Sequence, residues 1–464
     1  MSELNVIVGP PGSGKSTYLL TEAISSGGKH LFACPTIDLI EEQYGRVRHS
    51  APLLPVRQVH SRNGRKGRVA RQLADLPADV APLDDVIAFV THETMMDCDL
   101  SGFAGWNLCI DEAPQSLACG MLSLASGWHA FDQRYSLTPL SGSDWSRVRA
   151  EAAAEPWAKV KQDSIWANHM DFNKHVHRPH GVYVQAADWR EGRDRALPWF
   201  SMWSPLAQSA FATVSIAGAG YLSSIGYRAL VSVEPNLVVQ RHVIDAPRTA
   251  QPHITINYFT DSHSGSTTFW ATSEGRRCLV QVQNWLSANV RDLQFWSGNE
   301  VVRNSFEHRI PGTMADPKVA GLNIYRAATS CAFIYSSKPV PEDAAMQDIF
   351  EISGADIYAA REGEDLVQFA MRGAIRNADY EGCYDVYVYS REQAEFLRAS
   401  LLGSGFTKVD VNPLDEAGLM EVERPKGART SQLTPAQAAE RVERRRANSR
   451  RSSAKNRVKK SGGK

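Results

Sequence analysis

Eight residues near the start of the chain, Gly9-Pro10-Pro11-Gly12-Ser13-Gly14-Lys15-Ser16, have the types and spacing needed to wrap a phosphate chain. Glycines let the backbone close on an anion, and the loop N–H groups with the N-terminus of the next helix supply positive charge. In such a loop Lys15 reaches the β- and γ-phosphates and the Ser16 hydroxyl ligates Mg²⁺. Thr17 extends the cradle into the first helical turn. Further on, Leu108-Cys109-Ile110 reads as an apolar strand that ends in two carboxylates, Asp111 and Glu112. Asp111 is then placed to hold the Mg²⁺ shell, and Glu112 to orient or deprotonate an attacking water. The chemistry implied is hydrolysis of a nucleoside triphosphate, with ATP and Mg²⁺ as cofactors; the loop alone does not choose ATP over GTP.

The elements that must position these groups read as α/β. Asn5 to Val8 is a strand leading into the loop, and Ser16 to Ile24 the helix behind it. His30 to Cys34, Val86 to Val90, Trp106 to Ile110 and Phe211 to Ile216 read as further strands, with Thr36 to Val47 a helix. Strands alternating with helices predict a parallel sheet covered on both faces. A second alternation starts near His253, with strands expected at His253 to Phe259, Cys278 to Val282, Leu293 to Trp296, Cys331 to Tyr335 and Asp385 to Tyr389. Between Ala118 and Ala210 the rhythm is lost, and seven of the eleven tryptophans fall there.

With the loop and acidic pair in hand, a resemblance becomes specific. Asp111-Glu112-Ala113-Pro114 resembles the DEAx box of superfamily 2 helicases, and Gln115 leaves a superfamily 1 likeness open. Ala33-Cys34-Pro35-Thr36 resembles motif Ia of that family, so Pro35 and Thr36 are implied to touch the nucleic-acid backbone. Val90-Thr91-His92 resembles the strand-end segment ahead of the acidic box, which implies the same for Thr91 and His92. Ser215-Ile216-Ala217-Gly218-Ala219 is similar to the Ser-Ala-Thr motif without its Thr, and Gly321-Leu322-Asn323 to motif V. Gln368-Phe-Ala-Met-Arg372-Gly-Ala-Ile-Arg376 resembles motif VI. Its three polar residues stand four apart, which on a helix puts them on one face. Gln368 is then a nucleotide contact, Arg376 the arginine finger on the γ-phosphate and Arg372 its support.

The expected organisation follows: a RecA-like motor domain from 1–117 plus 211–245, an insertion at 118–210, a second RecA-like motor domain at 246–423 and a basic tail at 424–464. In the insertion most tryptophans are expected to form a small core, with one or two left to stack on bases. His169, His175, His177 and His180 lack the spacing of a zinc site and read as a polar loop near phosphate.

Formal net charge is zero, but Arg424 to Lys464 carries +12 and the body −12. A disordered or conditionally helical tail of that density, with Arg444, Arg445 and Arg446 at its centre, suits phosphate backbones. The partner expected is nucleic acid, with single-stranded DNA preferred over RNA, and replication proteins are further candidates. Seven scattered cysteines without a CxxC pair point to a reducing cytosol rather than a disulfide framework. No apolar run is long enough for a membrane span, and the start lacks the marks of a secretion signal. The reading is an ATP-dependent helicase or translocase resembling those of phage or plasmid replication modules. A terminase-like packaging ATPase and a nucleotide-gated nucleic-acid-binding assembly protein remain alternatives.

Overall fold

The computed structural model describes residues 3–63, 68–123, 127–141, 144–151, 169–191, 196–207, 211–245, 247–317, 324–340, 343–414 and 420–421. Strands β1 (Glu3–Val8), β2 (Lys29–Cys34), β3 (Val56–Val59), β4 (Val86–Thr91) and β5 (Asn107–Asp111) open the chain. Five further strands follow: β6 (Leu117–Leu122), β7 (Tyr135–Pro139), β8 (Trp145–Ala150), β9 (Val182–Gln185) and β10 (Leu197–Met202). The chain then returns to the first sheet as β11 (Thr213–Ala217) and β12 (Val238–Val243). The first sheet has the order β12-β1-β11-β5-β2-β4-β3 and every pairing is parallel.

Both faces of this sheet are covered, which is why its central strands are apolar throughout rather than alternating. Leu4, Val6, Leu31, Val90 and Ile110 pack on one face; Ile7, Phe32, Phe89 and Cys109 pack on the other. Helix α1 (Lys15–Ser26) lies on the second face through Leu19, Leu20 and Ala23. Helix α2 (Ile37–Ser50) lies beside it. Its start is fixed by Thr36, whose hydroxyl accepts from Leu39 N at 3.2 Å, with Asp38 in the first turn and Arg48 and His49 in the last. Those charges complement the helix dipole.

The last sheet uses β13 (His253–Thr260), β14 (Phe295–Gly298), β15 (Thr313–Met314), β16 (Ser330–Ile334), β17 (Cys383–Ser390) and β18 (Val409–Pro413). Its order is β15-β14-β16-β17-β13-β18, again all parallel. The fold is therefore α/β with two RecA-like parallel sheets. The strand expected at Cys278 to Val282 is instead part of a helix, Ser273–Asn289. Gly275, Cys278, Leu279, Val282 and Leu286 are buried at helical spacing, and Thr272 caps the start, so the short apolar run misleads. The edge strands β3, β12 and β18 escape the sequence reading because Arg, Gln, His, Asp and Asn interrupt their apolar pattern.

Strands β6 to β10 form an antiparallel sheet of order β6-β10-β9-β8-β7. One face holds Trp128, Phe131, Phe172, Trp189 and Trp199 as a buried aromatic cluster. On the other, Phe200 packs with Ala229, Met346, Phe350 and Ile357, so helices from both parallel sheets rest on it. Trp157 and Trp166 lie outside the described residues. No helix among the described residues is long and apolar enough to cross a membrane.

Candidate functional site

β1 ends at Val8 and the loop turns at once, with Ser13 N donating to Pro10 O at 3.1 Å. Gly12 and Gly14 have φ of 82° and 88°, values open to glycine and costly for other residues. Gly14 precedes α1 without a side-chain cap, so the first N–H groups of that helix remain available to an anion. Lys15 is nearly buried, and its ammonium donates to Gly9 O at 2.9 Å and Pro10 O at 2.8 Å. The loop thereby centres the cation over itself. Burial pushes the Lys15 ammonium below its usual range, while Glu112 and Asp111 oppose this.

The acidic strand β5 is not a neighbour of β1, because β11 runs between them. All three end at the same edge of the sheet, where open α/β sheets take ligands. Ser16 Oγ donates to Asp111 Oδ1 at 2.6 Å, while Asp111 Oδ2 is buried and lacks a donor. Burial raises the Asp111 carboxyl to about 6 against the pull of Ser16 and Lys15. A hydroxyl and a carboxylate with a spare oxygen are the hard donors a Mg²⁺ ion takes, so the residues present fit that ion. Glu112 carries φ of 69°, left-handed for a non-glycine residue, and its N–H is held by Ala217 O at 2.7 Å. Burial, then Asp111, raises the Glu112 carboxyl to about 7.

His92 stands behind this pair. It is buried, and its Nε2 donates to Asp111 O at 2.9 Å. The expected contact of His92 with nucleic acid is thus corrected: the ring faces the acidic strand, because the residue after β4 turns inward at the start of a short helix. Burial lowers its pKa to about 4 from 6.5. The unfolded imidazole protonates first, so stability is lost as pH falls from about 6.5 to 4, by about 3 kcal/mol at most. His92→Gln retains a donor without the titration. Its melting temperature is expected to fall less than that of the wild type between pH 7.5 and pH 5, which thermal melts at both pH values check. Equal falls would refute this assignment of His92.

The last sheet supplies the opposite wall. Helix α3 (Glu364–Ala370) carries Gln368, whose Nε2 donates to Glu364 Oε1 at 2.9 Å. The helix stops there, which corrects the expectation of three residues on one helical face. Met371 ends it, Gly373 is extended with ψ of −167°, and Arg376 lies in a separate turn, Ala374–Arg376. Arg372 and Arg376 consequently do different things. Arg372 is 6% exposed, and its guanidinium donates to Asp316 O at 2.7 Å and Pro317 O at 3.2 Å. Arg376 lies on the phosphate loop: a β-carbon placed on Gly12 would be 2.8 Å from Arg376 Cγ. A second close approach joins the same walls, since a β-carbon on Gly220 would meet the Glu364 carboxylate at 2.7 Å.

The cleft so formed is lined by Pro11, Gly12, Gly14, Lys15, Ser16, Thr17, Glu112, Gln368, Arg372 and Arg376, all singled out from sequence. It is also lined by Glu42, Gln43, Arg46 and Arg326, which were not. Arg46 donates to Glu42 at 2.6 Å and to Thr17 Oγ1 at 3.3 Å. Arg326 lies three residues beyond the motif V-like segment, and Gln43 is a polar residue in the buried stripe of α2; those were the available signals.

Of the other residues read from sequence, Thr36 and Thr91 cap helices, Thr91 Oγ1 accepting from Thr94 N at 3.2 Å, and Pro35 is half-buried beside Thr36. All three sit at the same sheet edge as the loop. His169 packs against Phe131 and His175 against Trp199, with ring centroids 6.0 and 5.7 Å apart, so these histidines belong to the antiparallel unit rather than to a phosphate loop. Arg444, Arg445, Arg446 and the segment Gly321-Leu322-Asn323 lie outside the described residues.

No protein-family model and no curated protein matches the chain. Solved structures do. An apo XPD aligns with 89% of this chain and 97% of its own, at 11% identity and a TM-score of 0.48. Xpd4 of S. tokodaii aligns with 88% of this chain and 95% of its own, at 10% identity and 0.45. A DEAD box protein from the hyperthermophile Methanococcus jannaschii covers 88% of each chain at 8% identity and 0.29. These are similarities of fold, and the RecA-like assignment itself rests on the strand orders given above.

Proposed function

We propose that this chain is an ATP-dependent nucleic-acid helicase or translocase that hydrolyses ATP between two RecA-like motor domains. Domain 1 is 1–117 with 211–245, domain 2 is 246–423, 118–210 is an insertion and 424–464 a basic tail. The observation that carries the reading is Arg376 of the last sheet lying against Gly12 of the phosphate loop. Two walls that meet at a phosphate site are joined or parted by the presence of the γ-phosphate, and that is how hydrolysis becomes movement.

In this reading Lys15 and the loop N–H groups bind the β- and γ-phosphates, and Ser16 and Asp111 hold Mg²⁺. Bound there, Mg²⁺ supplies neutralisation of phosphate charge. Glu112 takes the proton of the attacking water, Gln368 positions the nucleotide, and Arg376 meets the charge that develops on the γ-phosphate. Arg372, tied to Asp316 and Pro317, shapes the turn that presents Arg376. Pro35, Thr36 and Thr91, with the basic tail, are the proposed contacts for nucleic acid, and single-stranded DNA is the proposed track.

ATP turnover is measured with and without single-stranded DNA and single-stranded RNA, beside Lys15→Ala. Stimulation by DNA, absent in the variant, is the expected result. A rate indifferent to both polymers would sink the motor reading and favour the nucleotide-gated assembly protein.

A further inference from the structure

We propose that Gln43 on α2 is an outer-sphere acceptor for the hydration shell of the divalent cation that accompanies the nucleotide; this rests on the nucleotide-hydrolase reading above. The buried stripe of α2 consists of Leu39, Ile40, Gln43 and Val47. The three aliphatic members pack into the core beneath the sheet with Leu19, Leu20 and Phe32. Gln43 interrupts that stripe. It is 1% exposed, yet its Oε1 has no hydrogen-bond donor among the described residues. Buried amide oxygens are nearly always paired, because an oxygen removed from water without a replacement donor destabilises the fold. A leucine would fill the stripe without that penalty, so the amide needs a reason.

The reason is where it faces. Gln43 lines the same cleft as Ser16, Thr17 and Glu112. Asp111 Oδ2 is likewise buried and without a donor, its other oxygen being taken by Ser16. Two orphaned acceptors from different elements therefore accompany Ser16, Gln43 in the lining of the cleft and Asp111 through its bond with the Ser16 hydroxyl. A hydrated Mg²⁺ keeps several waters when it binds, and their O–H groups point outward. Such an ion brings donors that the protein lacks at both oxygens. Arg46, held by Glu42 and Thr17, lines the same cleft about one turn further along α2.

The opposite polarity is the competing role, in which the Gln43 amide N–H₂ donates to phosphate. Two substitutions separate them. Gln43→Met preserves volume and removes both functions; Gln43→Glu keeps an acceptor and removes the donor. The measurement is equilibrium binding of a fluorescent ADP analogue to the full chain, over a Mg²⁺ titration and in EDTA, with apo thermal melts as a folding control. The proposal expects Gln43→Met to need about 10- to 100-fold more Mg²⁺ to reach the tight-binding state, as for other outer-shell partners. Its affinity in EDTA should match the wild type, its apo melt should lie at or above the wild type's because the unpaired amide is gone, and Gln43→Glu should retain the Mg²⁺ response. Equal losses with and without Mg²⁺, an unchanged Mg²⁺ response in Gln43→Met, or failure of Gln43→Glu would each overturn it. Wild type that binds no nucleotide would instead bring down the hydrolase reading on which it stands.

Discussion

Replacing Arg376 by alanine is expected to slow ATP hydrolysis by about 10³- to 10⁵-fold, the range found for arginine fingers. The guanidinium comes from the last sheet, but its aliphatic stem rests on Gly12 of the first. Burial and the nearby Arg326 push its pKa down, while Glu112 opposes them. An arginine crowded by like charge and partly stripped of water is poised for an anion between them. Nucleotide binding in the loop should persist, because Lys15 and the N-terminus of α1 belong to the other sheet. Single-turnover hydrolysis beside equilibrium nucleotide binding separates the two effects. A loss smaller than tenfold would remove Arg376 from the chemistry, and a loss of binding alone would make it part of the cradle. Lysine is a poor substitute, since a point charge on a flexible stem lacks the planar fork that meets two phosphate oxygens.

Glu112→Gln is expected to lower turnover by about 10²- to 10⁴-fold with binding of the Mg²⁺-nucleotide retained, as for loss of a positioned general base. The carboxyl is raised to about 7, first by burial and then by Asp111 beside it. A base with that affinity for a proton near the working pH transfers it efficiently. The left-handed backbone at Glu112 costs about 1–2 kcal/mol in a non-glycine residue. The bond from its N–H to Ala217 O holds it there, at the end of the strand lying between loop and acid. The proposed base is therefore held by the segment resembling the Ser-Ala-Thr motif. If Glu112→Gln turned over ATP at the wild-type rate, the base would have to be sought elsewhere, with Glu364 on the facing wall the next candidate.

The phosphate loop and the acidic pair were legible from sequence because each is a local device. Glycines at positive φ, a strand before and a helix after are properties of neighbouring residues, and no distant contact is needed to recognise them. Motif order also placed Gln368 and Arg376 at the cleft. Their geometry was not legible: periodicity put three residues on a helix that in fact ends at Ala370, because Gly373 adopts an extended conformation that breaks it. That break is what separates a buried, carbonyl-bound Arg372 from an Arg376 able to reach the other sheet. His92 was misread for a related reason, since a residue at a strand end can turn outward or inward and only packing against β5 decides.

What the sequence determined by itself is the candidate phosphate site of the first sheet, Gly9 to Thr17 with Asp111 and Glu112, and the alternation that makes both large sheets parallel. The tertiary structure decided which side chains complete it. Gln43 and Arg326 carry only weak signals, a polar break in an apolar stripe and closeness to the motif V-like segment, and Arg46 carries none, because a polar residue on an amphipathic helix or in a loop acquires a role only when strand order sets its neighbours. The antiparallel unit of β6 to β10 shows the same limit. Composition marks it as rich in tryptophan, but Trp199 is buried on a strand whose antiparallel partners lie far away in the chain, and Trp128 and Trp189 on short helices that join it in the same cluster.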